Sequence, residues 1–204
     1  MNCSESLAGT MGIDFGEPVP RTLLHRRRVH CDGYARADGL FDIEARLLDT
    51  RTHVFPVLVG EDLPANEPVH QMGLRVTVDR ELLIRSAEPL MVSGPVPECP
   101  NIADAYMQLV GLKIGKGFSR AVKTMFAGRS GCSHMTEMLV PLATVAMQTV
   151  WAQQMVERER GGTALDASRN PDQRPALLDS CHSYRSDGEV IRLRWPKFYT
   201  GSKN

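Results

Sequence analysis

The segment covering residues 132–156 constrains the fold more than any other part of the chain, because it contains no Lys, Arg or Asp. Its ionisable side chains are those of Cys132, His134 and Glu137. A surface helix normally carries charged residues on its solvent face, so the segment predicts a long and largely buried helix. A His and a Glu in such a helix need polar partners or a chemical role. The segment therefore points to a functional site near its start.

The polar side chains of this segment fall on one stripe of the predicted helix, at about 100° per residue. The stripe consists of His134, Glu137, Pro141, Thr144, Gln148 and Trp151. The helix is either an ordinary amphipathic helix with a thin wet face or the wall of a pocket, with His134 and Glu137 at its mouth. In the second case Thr144 and Gln148 would contact the substrate. Pro141 cannot donate a backbone hydrogen bond to the carbonyl of Glu137, so a kink or a restart is predicted there.

The first half of the chain shows the alternation of apolar and polar residues that is typical of strands. Four strand-like segments cover residues 22–34, 40–52, 69–78 and 81–91. The dipeptide Asp38-Gly39 lies where the first tight turn is needed, and Asp-Gly is a strong hairpin signal. This half therefore predicts an antiparallel sheet made of two hairpins, with residues 56–68 as a loop.

The second half of the chain changes to helical periodicity. Helices are predicted over residues 100–110 and 118–126, followed by the long helix from residue 133 to residue 160. Strands that precede helices in this way indicate an α+β fold, whose packed helices include the long, buried and kinked one. We predict a flexible arm over residues 1–20 and a single α+β domain over residues 21–199, with a loop or linker over residues 161–175.

Charge and composition exclude several classes of function. Lys and Arg number 24 and Asp and Glu number 24, so the formal net charge is +0 and does not draw the chain to nucleic acid or to an anionic membrane. No stretch reaches the roughly 18 consecutive apolar residues of a membrane span, and the N-terminus does not resemble a secretory signal. The five cysteines include no C-x-x-C pair, which fits reduced thiols in a cytoplasmic protein. A homodimer is expected only from the general frequency of two-fold symmetric oligomers.

His134 and Glu137 form an H-x-x-E pattern whose two side chains project from one face of the helix. Three interpretations are open: a general base with an orienting carboxylate, half of a carboxylate-bridged metal site, or a structural pair. The sequence has no second H-x-x-E and no H-E-x-x-H pattern, which would complete a set of metal ligands. We therefore assign no metal ligand and expect no cofactor, with a bound metal as the alternative.

Two further histidines are candidates for the same site. His70 lies where a predicted strand begins beside a long loop, which is a usual place for functional groups. His182 follows Cys181, but neighbouring side chains point about 100° or more apart. A Cys-His pair of nucleophile and base therefore fails on geometry, and His182 and Tyr184 are candidates to line the pocket instead.

Glu44 and Arg46 share one face of a predicted strand with Asp42. That face is either solvated or, if helices cover it, part of the pocket. The glycines around Lys116 do not have the spacing of a phosphate-binding loop, and the G-x-S-x-G pattern of α/β-hydrolases does not occur. A nucleotide-binding protein and an α/β-hydrolase are therefore not supported.

Six sequence blocks, taken together and in order, resemble a bacterial family. They are L-L-H at residues 23–25, D-G-L-F-D-I-E-A at 38–45, P-V-H-Q-M at 68–72, G-L-K-I-G-K-G-F at 111–118, G-C-S-H-M-T-E at 131–137 and C-H-S-Y at 181–184. The family is known only as a domain of unknown function, DUF2889. The resemblance extends over residues 21–199, with Ser133 and Met135 standing where the family pattern has Thr and Leu.

The resemblance implies a function through a further association with bacterial gene sets for the breakdown of aromatic compounds. The implied activity is a lyase that releases formaldehyde from the γ-hydroxymethyl group of a lignin-derived phenolic dimer of the phenylcoumaran type, giving a stilbene by cofactor-free acid/base catalysis. His134, oriented by Glu137, would be the base for the γ-hydroxyl. His70 or His182 would protonate the departing ether oxygen. The substrate contacts would be Glu44, Arg46, Thr144, Gln148 and Tyr184.

The phenolate of such a substrate would be held by Arg46 or Tyr184. Two other classes of function stay open: a non-catalytic protein that binds small aromatic compounds, and a metal-dependent hydrolase or lyase that uses His134 and Glu137. Turnover separates these classes, since replacing His134 by Ala would abolish product formation in an enzyme. A metal-dependent enzyme would also lose activity with a chelator.

Overall fold

The computed structural model describes residues 16–17, 19–160, 174–175 and 177–202. These residues form two compact units that divide between Val150 and Trp151. The predicted arm over residues 1–20 and the predicted linker over residues 161–175 lie almost wholly outside the described residues. The single domain expected over residues 21–199 stays a prediction.

A four-stranded antiparallel sheet forms the first part of the fold. Its strands are β1 (His25–Ala35), β2 (Phe41–Arg51), β3 (Pro68–Val78) and β4 (Ile84–Ser93), and their order in the sheet follows their order in the sequence. The turn predicted at Asp38-Gly39 joins β1 to β2, and Gly39 has the positive φ of 85° that glycine adopts without a steric penalty. The predicted sheet of two hairpins is confirmed.

Helices follow the sheet. The first unit contains a 3-10 helix (Cys99–Leu109), α1 (Phe118–Met125), a 3-10 turn (Gly128–Ser130) and most of α2 (Ser133–Arg160). The second unit contains α3 (Glu189–Arg194) between two 3-10 turns, His182–Tyr184 and Pro196–Phe198. The α+β class is therefore confirmed, and the predicted helix over residues 100–110 has the tighter 3-10 form.

The core lies between α2 and one face of the sheet. Alternate residues of β2, namely Phe41, Ile43, Ala45 and Leu47, enter this core. The buried residues of α2 are Met135, Met138, Leu139, Leu142, Ala143, Ala146 and Val150. A Cβ atom on Gly33 of β1 would lie only 1.8 Å from Oγ1 of Thr149, so this glycine lets the helix lie directly against the strand.

One side of α2 is buried and the other is exposed. Val140, Met147 and Trp151 are among its exposed residues, so the exposed side of the helix carries apolar as well as polar side chains. The helix continues through Pro141 without the restart that the sequence allowed, and the kink stays a prediction. In the described part of the chain, no helix has both the length and the apolar character that a membrane crossing needs.

Candidate acid-base site

The centre of the candidate site is Asp49, near the end of β2. It continues the row of alternate residues that enter the core, and its side chain is only 1% exposed. A carboxylate in such a position has lost its water and needs charged or hydrogen-bonding partners. The neighbouring strands supply them, because Asp49 pairs with Arg27 of β1 on one side and with His70 of β3 on the other.

Arg27 binds both oxygens of Asp49. Its Nε donates to Oδ1 at 2.8 Å and its Nη2 donates to Oδ2 at 2.7 Å. Its third group, Nη1, donates to Oε2 of Glu137 on α2 at 2.8 Å. Burial alone would raise the pKa of Asp49, but the hydrogen bonds and charge of Arg27, helped by the charges of His70 and His25, outweigh burial and lower it. Asp49 is therefore an anion at neutral pH.

Three histidines converge on the same carboxylate. Nδ1 of His70 lies 3.1 Å from Oδ2 of Asp49, and Nε2 of His134 lies 3.8 Å from that oxygen. Nε2 of His25 lies 3.6 Å from Oδ1. The rings of His70 and His134 contact each other, with centroids 3.8 Å apart and planes tilted by 30°. The site thus brings together strand β1, strand β2, strand β3 and the first turn of α2.

The two contacting imidazoles favour their neutral forms. Burial lowers the pKa of His70, and the charge of a protonated His134 lowers it further, although Asp49 opposes both effects. Burial also lowers the pKa of His134, followed by the positive charge of Arg27, again against the attraction of Asp49. Rings this close cannot easily both be protonated. The pair is therefore suited to hold one proton at a time.

Tyr106 fixes the start of α2 and so the position of His134. Its fully buried hydroxyl accepts a hydrogen bond from the backbone N–H of Cys132 at 2.9 Å. The same hydroxyl lies 2.7 Å from the carbonyl of Cys132 and 2.7 Å from Oγ1 of Thr136. The ring of Tyr106 stacks on Phe126 at 4.2 Å. The first turn of the helix is therefore anchored to the core beneath it.

Asp49, His70 and His134 also form a set that could hold a metal ion. One ligand atom from each residue lies within 4.8 Å of the others. Metal–ligand distances of about 2.0–2.1 Å place the ligand atoms of a tetrahedral zinc site about 3.3 Å apart, near the 3.1 and 3.8 Å measured from Asp49 Oδ2. Two imidazoles and one carboxylate suit zinc or non-haem iron. A bound ion would share the carboxylate with the guanidinium of Arg27.

The structure brings together three of the residues predicted from the sequence, His70, His134 and Glu137. Glu137 does not orient His134 as expected, because its carboxylate binds Arg27 and the carboxylate that faces His134 is Asp49. The predicted H-x-x-E pair is therefore split between two partners. Its two members lie on one side of the helix, but the anion that serves the histidine comes from the sheet.

The other predicted residues lie elsewhere. Glu44 and Arg46 are on the opposite face of the sheet, because their positions in β2 alternate with that of Asp49. Thr144 and Gln148 are exposed on α2, and the hydroxyl of Thr144 donates to the carbonyl of Val140.

His182 and Tyr184 belong to the second unit. There, Nε2 of His182 lies 3.2 Å from Nη1 of Arg185. The roles predicted for this second group, like those of Glu44, Arg46, Thr144 and Gln148, stay predictions.

Sequence reasoning missed Asp49, Arg27, His25 and Tyr106 as members of the site. A signal for Asp49 was present, since it occupies the phase of the buried residues Phe41 and Leu47 in an alternating strand. The sequence could not show in the same way that Arg27 faces inward, because β1 carries three consecutive arginines. The pairing of β1 with β2 decides which of the three faces the core.

Comparison with protein families gives one match. The family model described as "Protein of unknown function (DUF2889)" matches residues 25–148. Searches of curated proteins and of solved structures gave no match. The matched range runs from His25 to Gln148, so it contains the whole cluster around Asp49.

Proposed function

The chain belongs to the family described as a protein of unknown function (DUF2889), and we propose that this member is an aldehyde lyase whose acid–base pair is His70 and His134. The observation that carries the proposal is the contact of two imidazole rings, 3.8 Å apart, beside one buried carboxylate. The substrate class comes from the sequence resemblance: a phenolic dimer of the phenylcoumaran type, which loses formaldehyde and becomes a stilbene. The protein would be cytoplasmic, would form a homodimer and would work without a cofactor.

Asp49 prepares both histidines for proton transfer. In the tautomer with a proton on Nδ1, His70 donates to Asp49 and keeps the lone pair of Nε2 for a substrate proton. In the tautomer with a proton on Nε2, His134 points this N–H towards Asp49 at 3.8 Å, and its Nδ1, which lies 3.9 Å from Sγ of Cys132, carries the lone pair. A neutral imidazole held in this way is a general base, and after it accepts a proton it is a general acid.

The reaction consists of proton transfers and two bond cleavages. Loss of the phenolic proton drives cleavage of the bond between the α-carbon and the ring ether oxygen, which gives a quinone methide, and the departing oxygen takes a proton. Loss of the γ-hydroxyl proton then breaks the β–γ carbon bond, releases formaldehyde and returns the electron pair to the ring through the new α–β double bond. The phenolate regains its proton. Protons balance, and the oxidation of the γ-carbon to formaldehyde is matched by the reduction of the α-carbon, which loses its bond to oxygen. No external oxidant is needed, so two bases that become acids are sufficient.

His134 and His70 take complementary roles in this scheme. We assign the γ-hydroxyl proton to His134 and the protonation of the ether oxygen to His70, in keeping with the roles that the sequence suggested. The contact between the two rings lets one be protonated while the other is neutral. His25, 3.6 Å from Asp49, would keep the carboxylate paired when one of them changes its protonation state.

The test is turnover of a phenylcoumaran such as dehydrodiconiferyl alcohol by the purified protein without added metal. We expect equal amounts of formaldehyde and stilbene, with product formation lost in His134→Ala and in His70→Ala. His30→Ala is the matched control, because His30 pairs with Arg46 on the opposite face of the sheet. Absence of formaldehyde from this substrate would overturn the lyase proposal. Binding without turnover in the wild-type protein would favour the aromatic-binding class instead.

A metal-dependent hydrolase or lyase is the second candidate, because Asp49, His70 and His134 offer ligand atoms within 4.8 Å of one another. This candidate predicts about one transition-metal ion per chain in the purified protein and loss of activity with a chelator. Elemental analysis of the protein, before and after dialysis against the chelator, measures both. Full activity in a protein with far less than one metal ion per chain would reject it.

A further inference from the structure

Arg27 holds an unusual position in the site, because it connects a buried anion to an exposed one. Its Nε and Nη2 bind Asp49, whose side chain is 1% exposed, and its Nη1 binds Glu137, whose side chain is 62% exposed. The bidentate pair fixes the plane and position of the guanidinium. Nη1 is therefore a preorganised cationic donor on the solvent-exposed side of the site.

The partner of Nη1 can be exchanged at little cost. Glu137 is on the surface, and an exposed ion pair contributes only about 0–1 kcal/mol. When its carboxylate turns into water, Nη1 is left with an open hydrogen-bonding position. That position is two covalent bonds from the Nη2 and Nε groups that bind Asp49, and Asp49 is the carboxylate that His70 and His134 face.

We propose that Arg27 binds an oxyanion carried by an aromatic ring, which takes the place of Glu137 on Nη1. This inference rests on the proposed function and names the substrate group that the arginine would recognise: the ionised phenol. The phenolate oxygen accepts a charge-assisted hydrogen bond from Nη1, and the proton that the phenol loses goes to a neutral imidazole of the pair. Glu137 is the internal competitor that occupies the position until substrate arrives.

This assignment differs from the sequence-based prediction, which gave the phenolate to Arg46 or Tyr184. Arg46 binds Asp32 and Glu44 on the opposite face of the sheet, so it cannot act on a group held beside His70. Arg28, next to Arg27 in the sequence, pairs with Leu48 and also faces that side. In β1, alternation therefore separates Arg27 from both neighbours of the same charge.

The probe for the test is 4-nitrophenol, which ionises near neutral pH and absorbs visible light only as the phenolate. We expect the protein to bind it in calorimetric titration and to increase the phenolate band at constant pH. Arg27→Gln should weaken binding by about tenfold or more, since hydrogen bonds to charged groups contribute about 1.5–3 kcal/mol. Glu137→Gln should strengthen binding by about 1.4- to 5-fold, because it removes a competing exposed ion pair, which typically contributes about 0.2–1 kcal/mol. Arg28→Gln is the control and should leave binding unchanged.

The opposite signs of the two variants separate recognition from damage to the fold. Arg27→Gln removes the main partner of Asp49 and could unfold the protein, so its thermal unfolding is measured alongside. Glu137 is exposed, and its replacement leaves the core intact. Unchanged or weaker binding in Glu137→Gln would overturn the proposal, as would equal binding by wild type and a folded Arg27→Gln.

The source of the oxyanion is resolved by a second probe, and the outcome is independent of the lyase reaction. Benzoate presents a carboxylate where 4-nitrophenolate presents a phenolate. Tighter binding of 4-nitrophenolate supports the phenolate, and binding of benzoate alone would overturn that assignment. Neither compound has a γ-hydroxymethyl group, so a failure of formaldehyde release and a failure of anion binding are separate results.

Discussion

Two clusters of arginine and carboxylate lie on opposite faces of the same sheet, and both are built around β2. On the open face, Glu44 binds Arg75 at 2.7 Å and also binds Arg46. On the core face, Asp49 binds Arg27 through both of its oxygens, whereas Arg75 places two N–H groups on one oxygen of Glu44. The side chain of Asp49 is 1% exposed and that of Glu44 is 15% exposed.

The difference between the clusters lies in what surrounds each carboxylate. The arginines on the open face are about half exposed, so water screens their charges and the ion pairs contribute little. The carboxylate on the core face has lost its water and is surrounded by three imidazoles. Similar residues, five positions apart in one strand, thus give an ion-pair cluster exposed to solvent on one face and, on the other, a buried carboxylate among imidazoles.

Replacing the carboxylate without changing its shape is expected to have the largest effect on function. Asp49→Asn removes the negative charge that both histidines face and weakens the hydrogen bond that fixes the tautomer of His70, so turnover should fall by about 10²- to 10⁴-fold, the usual contribution of a general base. Glu44→Gln, the matched change on the open face, should leave turnover within about twofold. Formaldehyde release under saturating phenylcoumaran measures both. A similar loss in the two variants would remove the functional distinction between the faces.

Truncating the same carboxylates should separate the faces by stability. Asp49→Ala leaves Arg27 and the imidazoles without their buried anion, and we expect a loss of about 3–5 kcal/mol in the free energy of unfolding. Glu44→Ala removes surface ion pairs and should cost about 0–1 kcal/mol. Urea unfolding followed by circular dichroism gives both values. Equal losses would show that the burial of Asp49 does not matter energetically.

The fold could be predicted from the sequence because its signals are local. Alternation marked the strands, Asp38-Gly39 marked the first turn, and the low charge of residues 132–156 marked α2. The site could be predicted only in part. His134 and His70 stood out as ionisable residues at element starts, whereas the contact between them depends on α2 lying along the sheet.

Two parts of the site depend on information that one strand or helix alone does not contain. The inward direction of Arg27 follows from the pairing of β1 with β2, and Arg26 and Arg28 have the same charge on either side of it. Glu137 has the right spacing to serve His134 on a helix, but a cation from the sheet lies within reach and attracts it more strongly. Asp49 was readable from its phase in β2, which continues the buried row of Phe41 and Leu47, but its neighbour Leu48 is apolar and weakens the alternation around it.

Stability should fall as the pH is lowered, in two separate ranges. The pKa values of His70 and His134 are lowered in the folded protein, so below about pH 6.5 the unfolded chain binds more protons and the free energy of unfolding decreases. The pKa of Asp49 is also lowered; its stabilising contribution is present above about pH 4 and is lost as the pH falls further.

Urea unfolding between pH 7 and pH 5 measures the first of these ranges. The slope of stability against pH should become smaller in His70→Gln and in His134→Gln, because each removes one group whose protonation favours the unfolded chain. A stability that rises as the pH drops from 7 to 5 would contradict the neutral imidazole pair. The range below pH 4 is followed in the same way with Asp49→Asn, which should lose the corresponding decrease.

The smallest effects are expected on the outer side of α2. Thr144 and Gln148 are exposed there, although the sequence placed them beside the substrate. Surface substitutions away from buried partners usually change stability by less than about 0.5 kcal/mol, so Thr144→Ala and Gln148→Ala should leave both unfolding and KM nearly unchanged. A clear rise in KM for either variant would mean that the substrate extends along the exposed side of the helix. Function would then not depend only on which face of the sheet a residue occupies. Substrate binding would also involve the exposed side of α2, which the cluster around Asp49 does not reach.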